Sequence, residues 1–384
     1  MNNNELPSQF EDFAEARKMG FLAAKKLKDE GKKLVGMFCT YTPAEIILAA
    51  GAVPVGVCSF SDETITEAEK DLPRNLCPLI KSSYGFAVTE KCPYMYFADL
   101  MIGETTCDGK KKMYELLSDI KAVHVMQLPQ TQDEDTAKEL WLDEVIRLKE
   151  RIEKDFGVEI SDEKIRSAIK IKNEERNLLK ELYDLSKSCP PPITGLAQLK
   201  VLYGSQYKFD CMEKIRQLRI LIDNIKQDYL NGVENVSKDA KRILVTGCPL
   251  ADVTEKIITA IEDSGGVVVV YENCVGAKTA ELLVDEDAEP YSAIADRYLK
   301  IGCSVMTPND NRFALISKLV KDFKVDGVVE MTLQACHTFA VETTQIRRLL
   351  QEEKVPFISI ETDYSKSDVA QIKTRIAAFI EMLT

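Results

Sequence analysis

The apolar positions along this chain fall into two kinds of stretch: short unbroken runs, and longer segments where they recur at helical spacing. Residues 9–30 are of the second kind and predict an opening helix with a glycine stop. Leu34–Phe38 is of the first kind and predicts a strand ending at Cys39. Pro43 opens a helix that Gly51 closes, and Val53–Val57 reads as a second strand ending near Cys58. The acidic stretch Asp62–Asp71 reads as a solvated surface segment. Leu76–Phe86 carries Cys77 into another helix, and Cys92 and Pro93 follow in a loop. Within Asp99–Glu115 an apolar run, Leu100–Ile102, leads through Glu104 to Cys107 and into a helix reaching about Lys121. Val123–Leu128 is a fourth strand, stopped by Pro129. This strand–helix alternation predicts a mostly parallel sheet covered on both faces.

From Asp133 to about Lys238 the pattern is charged and helix-periodic, with no strand signal. The alternation then restarts. Arg242–Thr246, Val267–Tyr271, Asp326–Thr332 and Pro356–Glu361 read as strands, with a helix at Ala288–Ile301 and a last one at Ser367–Leu383. Laid side by side, the halves correspond: a strand to Cys39 or Cys248, a strand to Cys58 or Cys274, a strand to Cys107 or Cys336, then a final strand. The expected class is α/β. Two similar doubly wound parallel-sheet domains, 1–132 and 239–384, are joined by a helical region, 133–238. Their strand ends should face one another across a cleft, the place where open α/β sheets carry their chemistry.

Charge and composition narrow the function. A net charge of −12 disfavours nucleic acid or an anionic membrane as partner, since both need a basic field. The beginning of the chain is polar and acidic without an apolar signal core, and no apolar run approaches the ~18 residues of a membrane span. A cytoplasmic protein is expected. Its eleven cysteines are then thiols rather than a disulfide framework. With only two histidines, thiolate is the main candidate ligand type, which points to iron–sulfur or zinc.

Cys77, Cys107 and Cys336 form one candidate ligand set. Cys107 and Cys336 sit where a strand turns into a helix, so free backbone N–H groups can face the sulfur. Cys248, Cys274 and Cys303, preceded by turn-forming residues, form a second set. Cys189, before three prolines, and Cys211, on a helix, lack a strand-end context and read as structural. No stretch has phosphate-loop or dinucleotide-loop spacing, and Lys110–Lys112 reads as a solvated or partner-facing patch. A Cys336–His337 nucleophile pair is disfavoured, because sequence neighbours point different ways, and His124 reads as a buried, hydrogen-bonded strand residue. Glu104, Glu272 and Glu330 precede strand-end cysteines. They are either proton donors, a role for which Glu104 and Glu330 are the candidates, or partners of lysines and helix ends.

At PAEIILAAGAVPVGV, LCPLIKSS, TTCDGKKKMYE and DGVVEMTLQAC the sequence resembles the 2-hydroxyacyl-CoA dehydratase component family, with benzoyl-CoA reductase subunits as relatives. The resemblance covers most of the chain. It implies two Rossmann-like domains and a [4Fe–4S] cluster held by three cysteines, matching Cys77, Cys107 and Cys336 here, with one iron open. It also implies a separate ATP-hydrolysing [4Fe–4S] activator that supplies the electron. The extra cysteines in TGCPL, ENCVGAK and IGCS are similar to the double-cubane cluster protein branch. There an [8Fe–9S] unit is held by six thiolates; Cys248, Cys274 and Cys303 would complete the six. That branch implies a homodimer that reduces small unsaturated molecules. The alternatives are a dehydratase subunit with a single [4Fe–4S] cluster and a non-catalytic cluster carrier. Cys39 and Cys58 occupy positions that compete for a place in the ligand set.

Overall fold

Short apolar runs, most of them without an exposed position, pair as strands in a computed structural model that describes residues 13–251 and 254–383. In the first half these are β1 (Leu34–Met37), β2 (Val53–Gly56), β3 (Leu100–Glu104) and β4 (Val123–Met126). All pair in parallel, in the order β2-β1-β3-β4. In the second half β5 (Lys241–Gly247), β6 (Gly266–Glu272), β7 (Gly327–Leu333) and β8 (Phe357–Thr362) repeat that order as β6-β5-β7-β8, again all parallel. The expected class, two Rossmann-like α/β units, is what the chain adopts. In each sheet the order reverses between the first and third strands. Their carboxyl ends therefore flank a crevice, at β1/β3 and at β5/β7.

The first half contributes helices α1 (Phe13–Asp29), α2 (Ala44–Ala49), α3 (Ile65–Ala68), α4 (Pro78–Val88), α5 (Pro93–Phe97) and α6 (Asp108–Leu117). Residues 9–12 of the predicted opening helix lie outside the described residues. The Asp62–Asp71 stretch is not simply solvated: α3 lies within it, and Thr64 and Ala68 are fully buried. Cys92 caps α5 rather than sitting in an open loop. Between the sheets run α7 (Asp135–Phe156), α8 (Asp162–Asp184), α9 (Gly195–Ser205) and α10 (Cys211–Leu230). The second half adds α11 (Glu255–Asp263), α12 (Ala277–Ala280), α13 (Pro290–Leu299), α14 (Asp310–Asp322), α15 (His337–Glu352) and α16 (Val369–Glu381). The hydrophobic pattern does not announce α14. Its inward residues, Arg312, Ile316, Leu319 and Val320, include a buried arginine that weakens the apolar signal.

The halves interlock. Residues 284–306, which belong to the second half in sequence, share a core with Val35, Ile46 and Ile102 of the first sheet and with Trp141 and Leu148 of α7. Polar ties fix that segment. The Tyr41 hydroxyl donates to the Ile301 carbonyl at 2.7 Å, and the Gln132 amide donates to the carbonyls of Leu299 and Ile301 at 2.7 and 2.8 Å. Buried Arg176 of α8 pairs with Glu45 of α2, and it donates to Tyr298 of α13 at 3.0 Å. Tyr298 in turn donates to Glu45 at 2.8 Å. Each group is satisfied by the others, the condition under which buried charge is tolerated.

Candidate metal centre

Three of the candidate cysteines cap helices. Cys77 precedes α4, Cys107 precedes α6 and Cys336 precedes α15, each where backbone N–H groups lack intrahelical acceptors. Amide groups of Leu79 and Ile80 face the Cys77 sulfur, those of Gly109 and Lys110 face Cys107, and that of Phe339 faces Cys336. Cys248 is placed by backbone geometry. Gly247 has φ +107, and a Cβ there would stand 2.2 Å from the Met331 carbonyl oxygen, so only glycine lets β5 turn this tightly against β7. The Cys248 amide then donates to Met331 at 2.8 Å, and its sulfur accepts from the Leu333 amide at 3.4 Å. Cys303 follows Gly302, where a Cβ would come within 2.6 Å of the Arg312 backbone.

These placements bring seven thiols into two groups. Cys77 and Cys248 both stand within hydrogen-bonding reach of Cys336, and Cys107 lies within its electrostatic reach. Donation from Cys248 and Cys77 holds Cys336 well below the usual thiol range. The same contacts, with burial, push Cys77 and Cys248 up. The second group is Cys39, Cys274 and Cys303, each acting electrostatically on Tyr41. Burial raises Cys39 and Cys274, opposed at Cys39 by Lys110 and at Cys274 by Lys278. Both groups take thiols from both halves. The first joins Cys77 and Cys107 to Cys248 and Cys336; the second joins Cys39 to Cys274 and Cys303. Cys58 stands near the second group, where its S–H donates to the Phe38 carbonyl at 3.0 Å.

Lys110 departs from the expectation of a solvated lysine run. Lys111 and Lys112 are exposed, but Lys110 turns inward and donates to the same Phe38 carbonyl at 3.0 Å. Its charge acts on Cys39, Cys58, Cys107 and Cys274, so it stands between the two groups. Of the three glutamates, Glu104 is fully buried, accepts from the Thr42 hydroxyl and keeps Oε2 without a partner. Burial lifts its carboxyl to about 7, with Thr42 and Lys110 opposing. Glu330 is fully buried too, accepts from Thr343 of α15 at 2.7 Å and keeps Oε1 without a hydrogen-bond partner. Glu272 is an ion-pair partner, 3.2 Å from Arg312 and 3.5 Å from Lys278. His337 is exposed, so no Cys–His pair forms. His124 is buried as expected, but Nε2 has no hydrogen-bond partner, and burial lowers its pKa to about 4. Cys189 is exposed, and Cys211 opens α10.

Polar atoms that act on the thiols or flank them in sequence are buried without hydrogen-bond partners, among them Tyr114 Oη, Glu104 Oε2, Lys278 Nζ and Tyr364 Oη. Orphaned polar groups are rare in folded interiors, and several around one set of sulfurs mark a place built to face something more than protein. Among the described residues no three or more His, Cys, Asp or Glu side chains close around a single point as a lone metal ion requires. A lone zinc holds every sulfur about 2.3 Å from one centre, whereas a cluster spreads its ligands over several irons. Helix-capping thiols, buried ammonium groups and orphaned donors are groups that can offset the negative charge of thiolates and of an anionic group they hold. Cys39 is marked in the sequence by its place at a strand end; Tyr364 and Lys278 are not singled out there. The position of Tyr364 just past the end of β8 is the one signal that could have found it.

Among the described residues no helix is long and apolar enough to cross a membrane. The family model for 2-hydroxyglutaryl-CoA dehydratase, D-component, matches residues 39–383. YjiM of Escherichia coli (strain K12), named provisionally as a dehydratase subunit, is 53% identical over 99% of both chains. The (R)-phenyllactyl-CoA dehydratase beta subunit of Clostridium sporogenes is 27% identical over 100% of both. A benzoyl-CoA reductase subunit of Thauera aromatica is 22% identical over 95% of both.

Proposed function

The chain belongs to the 2-hydroxyglutaryl-CoA dehydratase D-component family, and on that premise we propose that it is the cluster-bearing component of a low-potential reductase. It holds an [8Fe–9S] double cubane between its two α/β units and reduces small unsaturated molecules. The observation that carries this reading is the pair of thiol groups, each drawn from both halves. One cubane needs three protein thiolates when its fourth corner is a bridge. Cys77, Cys107 and Cys336 supply the first, and Cys274 and Cys303 belong to the second. The grouping favours Cys39 as the sixth ligand, with Cys248 left to hydrogen-bond the Cys336 sulfur; iron counts in Cys39→Ala and Cys248→Ala separate these assignments.

When bound, the cluster supplies one-electron reducing power at low potential. The chain's own residues do the rest. The capping amides of α4, α6 and α15 and the ammonium groups of Lys110 and Lys278 offset negative charge. Glu104, with a carboxyl near neutrality, holds a proton that it can release beside Cys39 and Lys110. Glu330, whose carboxyl burial also raises, is the second candidate proton donor. The electron comes from an ATP-hydrolysing [4Fe–4S] reductase partner, and the active form is a cytoplasmic homodimer. The functional division of the chain follows 1–132, 133–238 and 239–384.

A second reading is favoured by the names of the relatives: a 2-hydroxyacyl-CoA dehydratase subunit with a single [4Fe–4S] cluster on Cys77, Cys107 and Cys336. It leaves Cys274 and Cys303 without a task. Anaerobic iron and acid-labile sulfide per chain decide between them: about eight irons support the double cubane and about four the single one. A chain that takes up no iron after anaerobic reconstitution would sink both.

A further inference from the structure

Tyr364 lies just past the carboxyl end of β8, in a loop that the sequence marks only by its place after a strand. Its side chain is 1% exposed, and its hydroxyl has no hydrogen-bond partner. Four sulfurs act on it electrostatically: Cys77, Cys248, Cys58 and Cys336. Its ring meets Phe60 of the first half edge-on, with centroids 6.3 Å apart. A phenol carried by one half thus lies beside Cys77, Cys248 and Cys336 of the first thiol group, and Cys58, with its O–H unspent.

The loop is held for that placement. The Lys256 ammonium of α11 donates to the carbonyls on either side of Tyr364, Asp363 at 3.1 Å and Ser365 at 2.7 Å, and pairs with Asp368. Thr362 donates to the other Asp368 oxygen at 2.6 Å, and the Ser365 amide donates to Asp363 at 2.8 Å. Fixing both neighbours of one tyrosine in this way is costly unless the orientation of that side chain matters. An O–H left unmade in an apolar pocket also carries a desolvation penalty.

Building on the cluster reading above, we infer that Tyr364 is a hydrogen-bond donor to the sulfur-rich core held by Cys77, Cys107 and Cys336, and that Lys256 is the positioning residue that aims it. An O–H donated to sulfur favours the reduced, more negative state of such a core. The donor therefore makes the first cubane easier to reduce.

The test is Tyr364→Phe, which keeps the ring against Phe60 and removes only the hydroxyl. After anaerobic reconstitution, iron per chain should equal that of the parent protein. Electron paramagnetic resonance during a redox titration should show the first cluster harder to reduce by tenfold in the one-electron equilibrium, about 59 mV. Without iron, the thermal midpoint of Tyr364→Phe should rise above that of the parent, because an unsatisfied buried hydroxyl has been removed. Full iron with an unchanged potential, or a shift to easier reduction, would overturn the inference and leave the cluster reading intact. A parent that binds no iron overturns both. Should Tyr364→Phe fail to fold, Lys256→Met carries the test: it loosens the loop and should move the potential the same way by less. An unshifted potential there, with full iron, overturns the inference too.

Discussion

The two thiol groups each join cysteines beyond strand ends in both halves to one placed elsewhere, Cys77 or Cys303, yet are surrounded differently. The first, Cys77, Cys107, Cys248 and Cys336, is framed by the amino ends of α4, α6 and α15 and by the neutral hydroxyl of Tyr364. Its sulfurs at Cys107 and Cys336 are only half-buried. The second, Cys39, Cys274 and Cys303, faces the ammonium of Lys278, which is 2% exposed, with buried Arg312 behind it. Helix-end dipoles are concentrated at the first group and the Lys278 cation at the second, while Lys110 acts on Cys107 as well as on Cys39 and Cys274. Burial does not separate the groups, since Cys107 and Cys336 in the first and Cys39 and Cys274 in the second are all partly buried.

The sharpest way to break the comparison is to remove one group at a time. Cys336→Ala takes the sulfur that Cys77, Cys107 and Cys248 all face, and Cys303→Ala takes one from the other group. Each variant should retain about four of about eight irons, since each leaves one set of three ligands whole. If either substitution strips all the iron, the two groups form one indivisible site and the contrast between them has no functional meaning. Cys189→Ala and Cys211→Ala should leave iron unchanged in the same assay.

The second group depends on a tie that the first does not. Cys303 follows α13, whose core partners lie in the first half, and Arg176 links Glu45 to Tyr298 beneath it. Arg176→Met leaves Glu45 charged and buried without its cation. A loss of about 3–5 kcal/mol in denaturant stability is expected for such a broken buried pair. Iron in the second group should fall further than iron in the first. Equal loss from both groups would mean that the clamp holds the whole fold rather than the Cys303 segment.

Much of this arrangement was readable in the sequence, and what was not has a physical reason. The strand runs, the repeated order and the strand-end cysteines follow from apolar runs that topology places without ambiguity. In the grouping of thiols, the place of Cys248 beside Cys336 and of Cys39 beside Cys274 and Cys303 did not follow. Residues 284–306 cross to the other half's core, so Cys303 meets Cys39 of the first half as well as Cys274 of its own. Periodicity within one half carries no trace of that crossing. Lys110 differs from Lys111 and Lys112 only in which way the first turn of α6 faces, and a run of identical residues hides the one that turns inward. Tyr364 and Lys278 show nothing until the surrounding sulfurs are placed, because their meaning lies in partners they lack.

Glu104 offers a test of proton storage between the groups in the iron-free chain. Burial raises its carboxyl from 4.5 to about 7. A raised carboxyl makes the folded state the better proton binder. Its contribution is fully present below about pH 4.5 and is lost as pH rises through 7. The shift corresponds to about 3 kcal/mol. Glu104→Gln removes this dependence. Its denaturant stability relative to the parent protein should therefore increase by about that amount between pH 4 and pH 8. Parallel curves for the two proteins would show that Glu104 ionises normally and stores no proton.

The smallest expected effect discriminates best between the groups. Lys278 approaches Glu272 at 3.5 Å without a hydrogen bond, while Glu272 keeps Arg312 at 3.2 Å and accepts from Thr246. Lys278→Met therefore removes a cation without stranding its neighbour, and the methionine can still lie against Phe339, whose ring centre is 5.5 Å from the ammonium. Losing a positive charge beside Cys274 and Cys303 disfavours the reduced state of whatever those sulfurs hold. In the iron-loaded protein the signal from the second group should become harder to reduce by about tenfold, or about 59 mV, with the first-group signal unmoved. This is the mirror of the Tyr364→Phe shift, which falls on the first group alone. Two substitutions, each moving one signal and leaving the other still, would establish that dipoles serve one half of the core and a cation the other. If Lys278→Met moves both signals equally, charge is shared across the core and the division is one of geometry only.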